Sequence, residues 1–188
     1  MQYSRTAGLV RAALAAALIA ISALVTVPIG PVPVTLQILA VAVTVVLLRP
    51  AEALAALVAY VGIGAIGLPV FSGGSGGVGV LLGPTGGFLL GFIIGAPLGA
   101  LIRERVRSSP RGTVLAADIA GVAAMIAASY AFGLLRFSAV TGMTVAEGLA
   151  VAVAPFLVPD AVKAALAIVV ARSVRRSGVG DSGRVSAR

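Results

Sequence analysis

Apolar residues run together over lengths that match a bilayer, and polar residues collect in the gaps. The runs fall at about 7–27, 34–48, 51–67, 86–102, 113–135 and 145–172. A spanning helix needs about 20 apolar residues, with a range of roughly 17–25, so the pattern predicts six helical spans joined by short connections. The first run is too long and alanine-rich for a signal peptide and lacks a clear cleavage site, so it reads as a helix. Arg49-Pro50 separates the second span from the third, because proline disfavours helix in the residue before it. Pro155 and Pro159 divide the sixth run. A short helix over Thr144 to Ala154 is expected on the outer face, then a last span at about 157–172 with Pro159 at its first helical position. Leu68 to Thr85 is apolar, rich in glycine and without helical periodicity. Such a stretch sits at membrane depth only where protein covers it or where it lines a cavity.

Composition supports this reading and narrows the chemistry. Of 188 residues 60% are apolar and 11% charged, with a mean hydropathy of +1.13, against roughly 25% charged residues in a soluble domain. Too few polar side chains exist to cover a globular surface. The chain reads as an all-α integral membrane protein, one domain over 1–176 followed by a basic cytoplasmic tail, 177–188, expected to be disordered. With no cysteine there is no disulfide, thiolate nucleophile or thiolate metal site. With no histidine there is no Ser–His catalysis and no imidazole-bound metal.

A net charge of +8 first reports topology in a membrane protein. With six spans and both termini inside, twelve of the fourteen basic residues fall at or near the cytoplasmic face. Arg136 alone lies in an outer loop and Lys163 alone within a span. The basic run from Arg172 then reads as an anchor at the anionic inner leaflet, with the lipid bilayer as its partner and no nucleic acid. Glu52, Glu104 and Asp118 near the inner interface, and Glu147 near the outer one, read as solvated or interfacial.

Lys163 is the only lysine beside thirteen arginines, three residues after Asp160. The i,i+3 spacing places both on one helix face, and an ionisable group inside a span marks a functional site by default. Together they offer an acceptor and a donor to a small polar ligand; the structural alternative is a mutual salt bridge, with Asp160 also favoured by the helix dipole. Nine glycines fall between Gly73 and Gly91, where backbone N–H and C=O groups become accessible to a ligand. No Gly-Lys-Ser/Thr follows them, which excludes a P-loop. Gly73-Gly74-Ser75-Gly76-Gly77 matches G-x-S-x-G in form but has no strand-to-helix context and no histidine partner. Pro28-Ile29-Gly30-Pro31-Val32-Pro33 is a stiff outer connection, after which Thr35 and Gln37 bring hydrogen-bonding groups into the second span. Tyr60, Ser129 and Tyr130 are polar positions that packing alone could explain. Small residues recur at four-residue spacing on the first span, Ala12, Ala16 and Ala20 with Ala13 and Ala17 beside them. This spacing lets helices approach closely and fits either internal packing or an external partner.

Four motifs then stand in order: Pro33-Val34-Thr35-Leu36-Gln37, Gly64 to Gly77, Gly83-Pro84-Thr85-Gly86-Gly87, and Pro159-Asp160-x-x-Lys163. Together they resemble the BioY family, the biotin-binding S components of energy-coupling-factor (ECF) transporters. The resemblance implies a compact six-transmembrane-helix bundle with ordered outer loops covering a ligand pocket. It implies that Asp160 and Lys163 contact biotin, with the loop of Gly73, Gly74, Ser75, Gly76 and Gly77 above them and Pro28 to Pro33 as a lid. Gln37, Tyr60 and Thr85 complete the expected binding set. It further implies that the face of Ala12, Ala13, Ala16, Ala17 and Ala20 docks a transmembrane T component joined to two cytoplasmic ATPases. The protein is expected to be no enzyme and to need no cofactor, with biotin as the transported ligand across a bacterial cytoplasmic membrane. Two alternatives remain at this stage: a solitary biotin transporter without an ATPase module, and an intramembrane hydrolase using Ser75 and Lys163.

Overall fold

The computed structural model describes residues 2–28, 32–106 and 109–177. Among these, helix dominates. α1 (Gln2–Leu24) is followed by two short strands, β1 (Thr26–Val27) and β2 (Val34–Thr35), which pair antiparallel with Thr26 opposite Thr35. Then come α2 (Gln37–Leu47), α3 (Pro50–Ala65), a one-turn α4 (Val78–Leu82), α5 (Gly86–Glu104), α6 (Arg111–Thr141), α7 (Val145–Ala152) and α8 (Leu157–Arg176).

Local sequence explains the boundaries. Arg49 is extended (φ −75°, ψ 159°) and Pro50 opens α3, where its missing N–H is not needed. The Arg49 N–H instead donates to Glu52 Oε2 at 3.1 Å. A reciprocal pair starts α7: the Glu147 N–H donates to Thr144 Oγ1 at 3.3 Å, and the Thr144 N–H to Glu147 Oε2 at 2.8 Å. The short helix expected before the last span is therefore present. Three elements differ from expectation in detail. α8 begins at Leu157 as expected, but Pro159 is its third residue and not its first, still in the first turn, where an N–H has no intrahelical partner to lose. α6 runs on to Thr141, so Arg136 lies on a helix. α2 starts only at Gln37 because residues 34–35 are committed to the strand pair.

Among the described residues, four stretches are long and apolar enough to cross a membrane: Arg5–Leu24, Gly86–Glu104, Arg111–Thr141 and Val145–Arg176. Gln37–Leu47 and Pro50–Ala65 are apolar but shorter. α2 is the centre of the molecule, with Ala40, Val41, Ala42, Val45 and Val46 fully buried against α1, α5, α6 and α8. α5 and α6 pack closest of all. A Cβ on Gly99 would fall 2.3 Å from the Gly121 carbonyl oxygen, and one on Gly121 2.5 Å from that of Gly99, so the backbones cross with nothing between them. Leu90, Ile94, Leu98 and Leu101 of α5 and Val162, Leu166, Val169 and Val170 of α8 point outward. An apolar exterior of this extent is what a bilayer covers.

The end of the bundle where α5 and α8 finish is held by ions. Asp118 of α6, 0% exposed, accepts from Arg103 Nε at 3.2 Å and from Arg172 Nη1 at 3.0 Å. Glu52 accepts from Arg11 Nη2 at 2.6 Å. Asp118, expected to be solvated or interfacial, is instead enclosed between two arginines, which a buried carboxylate requires, while Glu52 is half-buried against Arg11. Glu104 and Glu147 are exposed.

Candidate functional site

At the opposite end, the start of α8 delivers the polar centre of a cavity. Asp160 is 3% exposed and Lys163 9%. Lys163 Nζ donates to Asp160 Oδ1 at 2.8 Å, one turn along the same helix. The second carboxylate oxygen is engaged from across the bundle: the Tyr130 hydroxyl of α6 donates to Asp160 Oδ2 at 2.6 Å. The pair is therefore a triad spanning two helices.

These groups line a cavity of about 650 Å³, counting the part open to the outside. Its walls are Phe71, Phe88, Phe92 and Phe156 with Ile38, Leu89, Val80, Val32 and Ala152. Gln37, Thr35, Ser72, Thr85 and Ser129 add polar atoms at its rim and floor. The Gln37 amide is fixed at both ends: Oε1 accepts from Thr35 Oγ1 at 2.8 Å, and Nε2 donates to the Tyr60 hydroxyl at 2.7 Å. The site suits a small molecule with a hydrogen-bonding head and an apolar body.

Of the expected binding residues, the fold brings Asp160, Lys163, Gln37 and Thr85 to this cavity. Tyr60 stands one layer behind, holding Gln37 and meeting the Phe71 ring edge-on with centroids 5.6 Å apart. Gly73, Gly74, Ser75, Gly76 and Gly77 do not line it. They form the turn that delivers Phe71 and Ser72 to the wall, with Gly73 (φ +67°), Gly74 (φ +75°) and Gly77 (φ +94°) in a region open to glycine. The loop is tied down on both sides: the Gly77 N–H donates to the Gly64 carbonyl at 2.7 Å, and the Gly73 N–H to Thr26 Oγ1 at 3.0 Å. Of the connection expected as a lid, Val32 and Pro33 line the cavity, and residues 29–31 lie outside the described residues. The tail beyond residue 177 lies outside them as well. Ser75 is exposed, and its hydroxyl donates to the Ser72 carbonyl at 2.8 Å. With Lys163 in the cavity and tied to Asp160, the two groups a Ser–Lys hydrolase would need are not assembled.

The alanines of α1 divide between two faces. Ala12 and Ala16 are buried toward the bundle, whereas Ala13 and Ala17 are exposed and Ala20 half-buried. Ala13, Ala16, Ala17 and Ala20 border a shallow groove with Ala59, Tyr60, Ile63 and Val70.

Sequence reasoning missed the four phenylalanines and undervalued Tyr130 and Ser129. Phe88 and Phe92, one helical turn apart at the start of α5, were a usable signal. Tyr130, a phenol within an apolar span, needed a partner that only the fold identifies.

A sequence model described as "BioY family" matches residues 1–179. A relative named "Biotin transporter BioY2" from Lactococcus lactis subsp. cremoris is 49% identical over 90 residues, an alignment taking in 48% of this chain and half of that one. The "Probable biotin transporter BioY" of Pyrococcus horikoshii is 35% identical over 87% of this chain and 93% of its own. The crystal structure of an S component for biotin from an ECF-type ABC transporter superposes with a TM-score of 0.85 at 25% identity, covering 94% of both chains.

Proposed function

The chain belongs to the BioY family, and from this premise we propose that it takes up biotin as the substrate-binding S component of an ECF transporter. The observation that carries the proposal is Asp160, flanked by Tyr130 and Lys163, at the head of a phenylalanine-walled cavity. Biotin matches that division of labour. Its ureido N–H groups suit a carboxylate, an ammonium suits its carbonyl or carboxylate oxygens, and its thioether ring and chain suit aromatic walls.

In this reading α1, α2, α3, α5, α6 and α8 make six passes. α2 and α3, at about 16 and 24 Å by the rise of a helix, reach the bilayer faces with their connecting loops. The loops at 26–35 and 68–85 cover the biotin pocket. The basic end holding Asp118 is cytoplasmic, together with both termini, and the membrane is the bacterial cytoplasmic membrane; the placement of arginine along the chain supports that orientation. A transmembrane T component and two ATPase subunits supply the energy, the sequence of this chain carrying no P-loop of its own. Ala13, Ala17 and Ala20 offer the T component its approach.

Calorimetry of the detergent-purified chain tests the proposal, with riboflavin and thiamine as controls. Tight, biotin-selective binding that is lost in Asp160→Asn and Lys163→Ala is expected. A folded, monodisperse sample that ignores biotin would overturn the ligand; wild-type affinity in both variants would overturn the site. Uptake in cells with and without a T component separates an ECF-dependent carrier from a solitary one.

A further inference from the structure

Asp160 holds more hydrogen bonds than its sequence neighbour accounts for. A carboxylate offers about four lone-pair positions. Lys163 takes one on Oδ1 at 2.8 Å and Tyr130 one on Oδ2 at 2.6 Å. Lys163 sits on the same helix as Asp160 and moves with it. Tyr130 belongs to α6, which shares little direct packing with α8. The phenol is thus the contact that fixes the carboxylate of α8 relative to the facing wall of the cavity. Packing alone would not select it, because phenylalanine fills the same space without needing a partner for a hydroxyl. A donor bonded to an ionised oxygen makes a short bond, roughly twice as strong as one between neutral groups.

We infer that Tyr130 is a positioning and selectivity residue of the ligand site. Its hydroxyl sets the plane of the Asp160 carboxylate so that the remaining acceptor position on each oxygen faces the cavity. With one acceptor position left on each oxygen, Asp160 receives a ligand N–H or O–H, and a ligand oxygen is directed to the remaining donors of Lys163 Nζ. Biotin enters with a ureido N–H toward Asp160. This inference rests on the biotin reading above and assigns a role to a side chain on the opposite helix.

The test compares the full-length wild type with Tyr130→Phe in detergent, by two measurements. Biotin affinity, read by calorimetry, is expected to fall about tenfold or more, the effect of losing one bond to a charged group. The Asp160 carboxylate stretch is read by infrared spectroscopy of ¹³C-aspartate protein and identified by its disappearance in Asp160→Asn. It is expected to move in ligand-free Tyr130→Phe. Unchanged biotin affinity in Tyr130→Phe overturns the inference. So does a loss of affinity with the Asp160 band in place, since Tyr130 would then serve only as wall. The infrared comparison needs no ligand: a wild type that fails to bind biotin removes the transport reading, while a band that stays put in Tyr130→Phe removes the Tyr130–Asp160 contact itself.

Discussion

Gln37, the first residue of α2, donates from Nε2 to the Tyr60 hydroxyl of α3 across 2.7 Å, with both side chains buried. Tyr60 never reaches the cavity, yet it holds two groups that do, the Gln37 amide and the Phe71 ring. Tyr60→Phe keeps the ring and removes the acceptor. A buried amide N–H left without a partner costs about 1–3 kcal/mol, so the variant is expected to melt earlier than wild type. Biotin affinity should also fall several-fold, because Gln37 is then held only through Thr35. Thermal unfolding and calorimetry on the same preparation check both; an unchanged Kd would place Gln37 outside the binding set.

Gly64 leaves room for the Phe71 ring. A Cβ there would fall 2.1 Å from one ring atom and 2.2 Å from another. Phe71 is buried and backed by Tyr60, so in Gly64→Ala the ring must turn into the cavity. Gly62, two residues earlier on the same helix, has nothing within 4 Å of its Cβ position. Gly62→Ala should be neutral or stabilising, since alanine in a helix is favoured over glycine by about 1 kcal/mol. The expected result is a contrast: Gly64→Ala loses biotin binding at least tenfold, and Gly62→Ala binds as wild type. Equal affinities would mean that Phe71 has freedom to move elsewhere.

Ala16 and Ala17 are neighbours on α1 that both border the groove, the first buried against the bundle and the second exposed. Tryptophan at Ala17 should leave the bundle and its biotin affinity intact while blocking close approach of another helix. Tryptophan at Ala16 should overpack the bundle and lower its stability, by about 1–3 kcal/mol or more. Biotin uptake in cells, compared with binding by the purified variant, separates the two. Normal uptake by Ala17→Trp would move the docking surface away from this groove.

What could be read from the sequence was local. Hydrophobic length gave the long helices, Arg49-Pro50 gave the break between α2 and α3, and the paired prolines gave α7 ahead of α8. The Asp160–Lys163 contact followed from one turn of helix. What could not be read depended on which helices meet. Phe92 lines the cavity, Phe132 faces outward and Phe137 packs in a separate cluster behind Val32 and Phe156; nothing in their local sequence distinguishes them. Tyr130 lies 30 residues from its partner Asp160. Tyr60 was expected against the ligand, and only the crossing of α2 and α3 shows it supporting Gln37. Asp118 was expected to be solvated or interfacial because it lies near the inner interface; its arginines come from α5 and α8, 15 and 54 residues away.

Asp118 therefore offers the sharpest stability prediction. Its carboxylate sits between Arg103 and Arg172 at the end of the bundle opposite the cavity, so it ties three helices without touching the ligand. Removing one partner of a buried ion pair costs about 3–5 kcal/mol, because the charge left behind is uncompensated. Asp118→Asn takes the shared carboxylate from both arginines at once. Arg172→Gln leaves Asp118 still paired with Arg103 and should cost less, the more so because the Arg172 side chain is 21% exposed against 11% for Arg103. The expected order of destabilisation is Asp118→Asn, then Arg103→Gln, then Arg172→Gln. The chain contains no tryptophan, so helical circular dichroism on heating is the suitable readout. Biotin affinity of the folded fraction should be the same in all three. A selective loss of affinity in Asp118→Asn at unchanged melting temperature would mean that this ionic cluster communicates with the cavity instead of stabilising the bundle.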